Sequence, residues 1–200
     1  MLNKLGVFGG SFNPVHYGHL ILAQEVLWQA ELDQILFIPA KIPPHKKEGV
    51  LSEHHRFRML ELSLKKYSKF VLSNIEFLRE KPSYTYDTIE QLKLIYPRAL
   101  LYFITGADGV FEITGWYRGE ELLTRIPIIA VTRAGIADND FLKQVERLTF
   151  QYGAKIQVVK MPEIGISSSL IRDRILKNQP VAHLLPEEVY NYIIENNLYR

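Results

Sequence analysis

No cysteine occurs among the 200 residues. Disulfides, thiolate metal sites and cysteine nucleophiles are thereby excluded, and a reducing compartment suits the chain. Charge of one sign is scarce too: 24 Lys and Arg stand against 22 Asp and Glu, a formal net +2. So small an excess makes no case for nucleic-acid or membrane binding through charge. No apolar run approaches the roughly 18 residues of a membrane span. Met1 to Val7 holds a lone Lys4 and lacks the apolar stretch of a signal peptide. No repeat, low-complexity stretch or linker divides the chain. One domain over residues 1–200 is expected, in the cytoplasm, with no nucleic-acid or membrane partner.

What is present is an alternation of apolar runs and helix-like segments. Runs at Leu5 to Phe8, Ile35 to Pro39, Phe70 to Leu72, Leu100 to Ile104, Ile126 to Val131 and Lys155 to Val159 read as strands. Between them, Gly18 to Ala30, Glu53 to Tyr67 and Tyr86 to Tyr96 read as helices, with Ser52 as a cap and Pro97 as a stop. Phe141, Val145, Leu148 and Tyr152 form another helix stripe. Ser167 to Leu176 and Pro186 to Asn196 close the chain as a small C-terminal helical segment. The strands are apolar throughout rather than alternating. That predicts an α/β fold: a doubly wound parallel sheet with helices on both faces. Ligands in such folds sit beyond the carboxyl ends of the strands. Residues 9–19, 40–47, 105–116 and 132–135 are expected there.

The richest of these segments is Gly9-Gly10-Ser11-Phe12-Asn13-Pro14-Val15-His16-Tyr17-Gly18-His19. Glycines let a turn approach a phosphate, and a helix start adds free N–H groups and partial positive charge. His16 and His19, three apart, can face one anion; a surface pair or a metal pair are the blander readings. A second anion-type segment is Ile166-Ser167-Ser168-Ser169-Leu170-Ile171-Arg172, with serines at a helix start and Arg172 one turn onward. Pro43-Pro44-His45-Lys46 forms a stiff basic loop, and the run from Lys41 to Lys47 otherwise reads as solvated. Ser83-Tyr84-Thr85-Tyr86-Asp87-Thr88 is polar, aromatic and at a helix start. Trp116-Tyr117 could stack on a flat ring or simply pack in the core. Asp108, in Gly106-Ala107-Asp108, could accept from ribose hydroxyls or cap a helix, and Arg133 follows a strand.

His16-Tyr17-Gly18-His19 resembles the HxGH signature of the nucleotidyltransferase superfamily. The run from Gly9 to His19, with the PPHK, SYTxxT, GxD, Trp and ISSxxIR elements in order, resembles the nicotinate mononucleotide adenylyltransferases. The resemblance spans nearly the whole chain. It implies a Rossmann-like fold and transfer of AMP from ATP to nicotinate mononucleotide. The products would be nicotinate adenine dinucleotide and pyrophosphate, in NAD biosynthesis. It implies catalytic roles for His16, His19, Lys46 and Arg172. ATP would meet Gly9, Gly10, Ser11, Phe12, His16, His19, Gly106, Asp108, Arg133, Ile166, Ser168, Ser169 and Arg172. The mononucleotide would meet Ser11, His45, Lys46, Tyr84, Thr85, Trp116 and Tyr117, in neutral or basic surroundings. Mg²⁺ would ride on ATP oxygens with no dedicated protein ligand, and self-association into a homo-oligomer would fit the family.

Some positions depart from the family pattern. Asn13 stands where many members carry Asp, Ser169 where Thr is common, and Ala134 where Pro is. Two other readings have distinct signatures. A phosphopantetheine adenylyltransferase is usually shorter and often carries Thr in place of His16. A nucleotide-binding regulatory module would hold ligand without releasing pyrophosphate. Nicotinate against nicotinamide turns on a few backbone donors that sequence does not reveal.

Overall fold

The structure, a computed structural model, describes residues 3–43, 49–80, 82–133 and 139–200. Pro44, His45, Lys46, Ala134, Gly135 and the side chain of Arg133 lie outside that description. Six strands form one parallel sheet: β1 (Lys4–Gly10), β2 (Gln34–Pro39), β3 (Phe70–Leu72), β4 (Leu100–Gly106), β5 (Ile128–Arg133) and β6 (Ile156–Met161). Their spatial order is β3-β2-β1-β4-β5-β6, so the winding reverses between β1 and β4. A crevice at such a switch point is where α/β sheets take ligands.

The expected double-sided burial follows from the strand pattern. In β2, Ile35 and Phe37 enter one core while Leu36 and Ile38 enter the other. Successive side chains point to opposite faces, so an all-apolar run serves both. The first face is covered by α1 (Tyr17–Gln29), α2 (Glu53–Leu64), α7 (Ser168–Leu176) and α8 (Glu187–Glu195). The second is covered by α3 (Thr85–Ile95), α4 (Ala107–Glu112), α5 (Gly119–Arg125) and α6 (Asn139–Tyr152). Phe37, fully buried at the centre, contributes on the order of 1.5–3 kcal/mol by leaving water. Among the described residues, no helix is long and apolar enough to cross a membrane.

Two readings of the sequence need correction. Helix α2 begins after Ser52, whose side chain accepts from the amide of His55, but it ends at Leu64 rather than Tyr67. Strand β5 starts at Ile128, because Ile126 closes α5. Residues 105–116, expected beyond the end of a strand, hold α4 and a 3-10 turn (Ile113–Gly115). These pieces are too short for a periodic pattern, and Gly106, Gly109, Gly115 and Gly119 mimic loop punctuation. Gly119 is in fact a packing residue, since a Cβ there would sit 1.8 Å from the Ile113 carbonyl oxygen.

Candidate active site

The turn after β1 runs directly into α1. His16 is the N-cap of α1, and His19 is its third residue. The His16 amide donates to Nδ1 of His19 at 3.3 Å, and the two rings lie 3.8 Å apart at 30°. Gly18 makes this approach possible: a Cβ there would lie 2.9 Å from Nδ1 of His16. His16, which the resemblance gives a catalytic role, is buried, its Nδ1 has no partner, and burial pulls its pKa down to about 4. At neutral pH the free protein therefore offers a neutral imidazole there, a hydrogen-bonding group rather than a standing cation.

The second anion-type segment meets the first across more than 150 residues of chain. Ser168 Oγ donates to the Pro14 carbonyl at 2.9 Å, and an Arg172 nitrogen donates to the Asn13 carbonyl at 2.9 Å. Ser167 caps α7, its hydroxyl accepting from the Leu170 amide and meeting Ser169 Oγ at 3.0 Å. Two helix N-termini, α1 and α7, thus open beside one another, with Ile166 alongside Gly18. Oriented N–H groups and dipoles of this kind favour an anion. Phe12 stands apart from the rest of its turn. Its ring is 1% exposed and packs against Phe8, Phe37 and His19, so any contact it makes with a nucleotide is through its backbone.

A cavity of about 570 Å³ opens at the β1/β4 switch point. Gly9, Gly10 and Ser11 line one wall, and Ala40 and Pro43 another. Gly106, Tyr84, Thr85, Trp116 and Tyr117 line the cavity as well. Trp116 meets Phe103 edge-on at 6.0 Å and also borders the cavity. Tyr84 and Tyr117 stack on each other at 4.4 Å. Asp108 is exposed in the first turn of α4, just past the end of β4.

One lining residue, Glu76, and one neighbour of the lining, Lys41, run against expectation. Glu76 borders the cavity that neutral or basic groups were expected to surround. Its Oε1 accepts from Thr88 Oγ1 at 2.6 Å, and Arg79 lies 3.6 Å away. Burial raises its pKa, while hydrogen bonds from Ser83 and Thr88 and the charge of Arg79 oppose that rise. Lys41 is no solvated cation: its ammonium donates to the carbonyls of Phe77 and Arg79 at 3.2 and 2.8 Å. The sequence reading also passed over Arg56, which lies beneath the site and is 1% exposed. Its signal was a cation inside the buried stripe of a helix, where an unpaired charge is costly.

A parallel sheet wound in this order, with a Gly-rich turn and two helix N-termini converging at its switch point, is the architecture of a nucleotide-binding fold. The model of the cytidylyltransferase-like family matches residues 7–174. A Carboxydothermus hydrogenoformans protein named as a probable nicotinate-nucleotide adenylyltransferase is 70% identical, over 98% of this chain and 98% of that protein. The nicotinate-nucleotide adenylyltransferase of Bacillus subtilis is 41% identical, over 99% of each. The solved structure of Plasmodium falciparum nicotinic acid mononucleotide adenylyltransferase complexed with NaAD has a TM-score of 0.81, covering 98% of this chain and 97% of that one. Its 23% identity attests the shared fold. The chain belongs to the nicotinate-nucleotide adenylyltransferases, nucleotidyltransferases of NAD biosynthesis.

Proposed function

We propose that this cleft joins the 5′-phosphate of nicotinate mononucleotide to the α-phosphorus of ATP. One P–O bond forms, the α–β bond breaks in line, and pyrophosphate leaves. The carrying observation is the convergence of the α1 and α7 N-termini beside the cavity at the β1/β4 switch. An ionised phosphate needs no strong base, so catalysis rests on positioning and on charge stabilisation.

In this reading Gly9, Gly10, Ser11, His16, His19, Ile166, Ser168, Ser169 and Arg172 hold the triphosphate, aided by Lys46. Gly106, Asp108 and Arg133 serve the adenosine. Tyr84, Thr85, Trp116 and Tyr117 take the nicotinate half, with His45 and Ser11 toward its phosphate. The first-turn amides of α3, which starts at Thr85, favour a ring carboxylate over an amide. A phosphate beside His16 would raise its pKa, so ATP binding near pH 6 draws in protons.

Mg²⁺ belongs to this reading as an ion carried on ATP oxygens. Among the described residues, no group of three or more His, Asp or Glu converges. The Asn13 oxygen already accepts from the Leu51 amide and the Tyr199 hydroxyl. Among the described residues, both observations support an ion carried by the substrate. Two cores on the two faces of one sheet support a single domain, and a cytoplasmic location completes the reading.

The test is pyrophosphate release from ATP and Mg²⁺, with nicotinate and nicotinamide mononucleotides in parallel. Release at least 10-fold faster with the nicotinate form is expected. Preference for the amide would overturn the substrate, and silence with both would overturn the reaction.

A further inference from the structure

We propose that Arg56 is a positioning residue that sets the spacing between the ATP side and the mononucleotide side of the cleft. Arg56 lies on α2, on the face turned into the protein, and is 1% exposed. Its Nε donates to the Leu51 carbonyl at 2.9 Å, one terminal nitrogen to the Ser11 carbonyl at 3.0 Å, and the other to the Lys41 carbonyl at 3.2 Å. Each acceptor comes from a different segment. Ser11 belongs to the Gly-rich turn that lines one wall of the cavity. Lys41 lies between Ala40 and Pro43, which line another wall. Leu51 leads into α2.

One rigid side chain thus ties the turn after β1, the exit of β2 and the entry of α2 to a common point. The guanidinium suits that task because its donors point in fixed, divergent directions within one plane. An ammonium presents its donors from a single atom and cannot meet three carbonyls so arranged. All three bonds run to carbonyls, and burial lowers the Arg56 pKa, an effect that the nearby charges of Glu53 and Glu76 partly offset. A buried cation is costly, and an apolar residue on this helix face would leave the three carbonyls without that donor. What an apolar residue cannot do is register two loops that hold two different substrates.

Asn13 supports the same register from the other side. Its amide nitrogen donates to the Gly49 carbonyl at 2.8 Å and its oxygen accepts from the Leu51 amide at 3.2 Å. The reaction joins two bound molecules, so its rate is sensitive to the distance between them. A misplacement of about 1 Å costs on the order of 10²-fold in rate.

The inference rests on the adenylyltransferase reading of the cleft, which pyrophosphate release by the unaltered protein tests separately. The experiment is Arg56→Lys, with kcat and both KM values measured on protein shown to be folded by circular dichroism and melting. Expected is a fall in kcat of about 10²-fold with each KM within about 3-fold, since each substrate keeps its own subsite. Guanidinium ion added to Arg56→Ala should restore part of kcat. A folded Arg56→Lys enzyme with kcat within about 3-fold of the parent, or with its loss confined to KM, would overturn the proposal. Should Arg56→Lys not fold, Asn13→Ala decides by the same criterion, because it loosens the Leu51 anchor without unburying a charge.

Discussion

The hydroxyl of Tyr199 donates to Oδ1 of Asn13 at 2.9 Å, joining the chain's penultimate residue to the turn that opens α1. Asn13 uses its amide as both donor and acceptor, toward Gly49 and Leu51, and is 2% exposed. Aspartate could supply the acceptor but not the donor, and would set a carboxylate against the Gly49 carbonyl. Asn13→Asp should therefore destabilise the fold by about 1–3 kcal/mol. Tyr199→Phe should cost about 1 kcal/mol. Urea unfolding midpoints check both, and the Mg²⁺ concentration for half-maximal turnover should not move in either.

Stability should depend on the titration of His16. Its imidazole titrates near 6.5 when unfolded and at about 4 in the fold. Between those values the unfolded chain binds more protons. The contribution is thus present above about pH 6.5 and is lost as pH falls toward 4, by up to about 3 kcal/mol. Other groups titrate in the same range, so the measurement is a difference: urea unfolding of the parent and of His16→Asn at pH 7.5 and 5. A parent no more pH-sensitive than the variant would count against the burial argument.

Gly18→Ala should separate activity from stability. Alanine favours the helix by roughly 1 kcal/mol over glycine, which offsets the crowding of His16 at 2.9 Å. The melting temperature should stay within a few degrees while turnover falls about 10-fold or more. Steady-state kinetics beside a thermal melt decide it.

Replacing His19 by alanine removes a ring at the third residue of α1, beside the proposed triphosphate site. A turnover loss of about 10²-fold is expected, with melting little changed. Near-normal turnover would remove His19 from the chemistry.

Glu76→Gln keeps an acceptor for Thr88 and removes a negative charge from the cavity wall. The KM for nicotinate mononucleotide should fall several-fold, and that for the amide analogue, whose ring substituent is uncharged, much less. Arg79 loses its carboxylate partner, so the fold should weaken by about 1–3 kcal/mol. Equal shifts in both KM values would show that the charge is not sensed by the ring substituent.

Six strands, their parallel arrangement and the two-faced core were legible in the sequence, because strands apolar at every position can be buried only between two helix layers. The motif around His16 and His19 was legible for a related reason. Glycines, histidines and a helix start carry their chemistry within a few residues, and local spacing is what a sequence states directly. Tertiary structure alone decided the rest. Burial makes His16 a neutral donor, and the same residue at an exposed N-cap would titrate near its ordinary value. The close approach of α5 to the 3-10 turn before it makes Gly119 a contact that tolerates no side chain. Arg56 meets Ser11, Lys41 and Leu51, and Asn13 meets Tyr199, only because segments far apart in the chain converge under one cleft. Charges and hydrogen bonds act over a few ångströms of space, and sequence order does not record that distance.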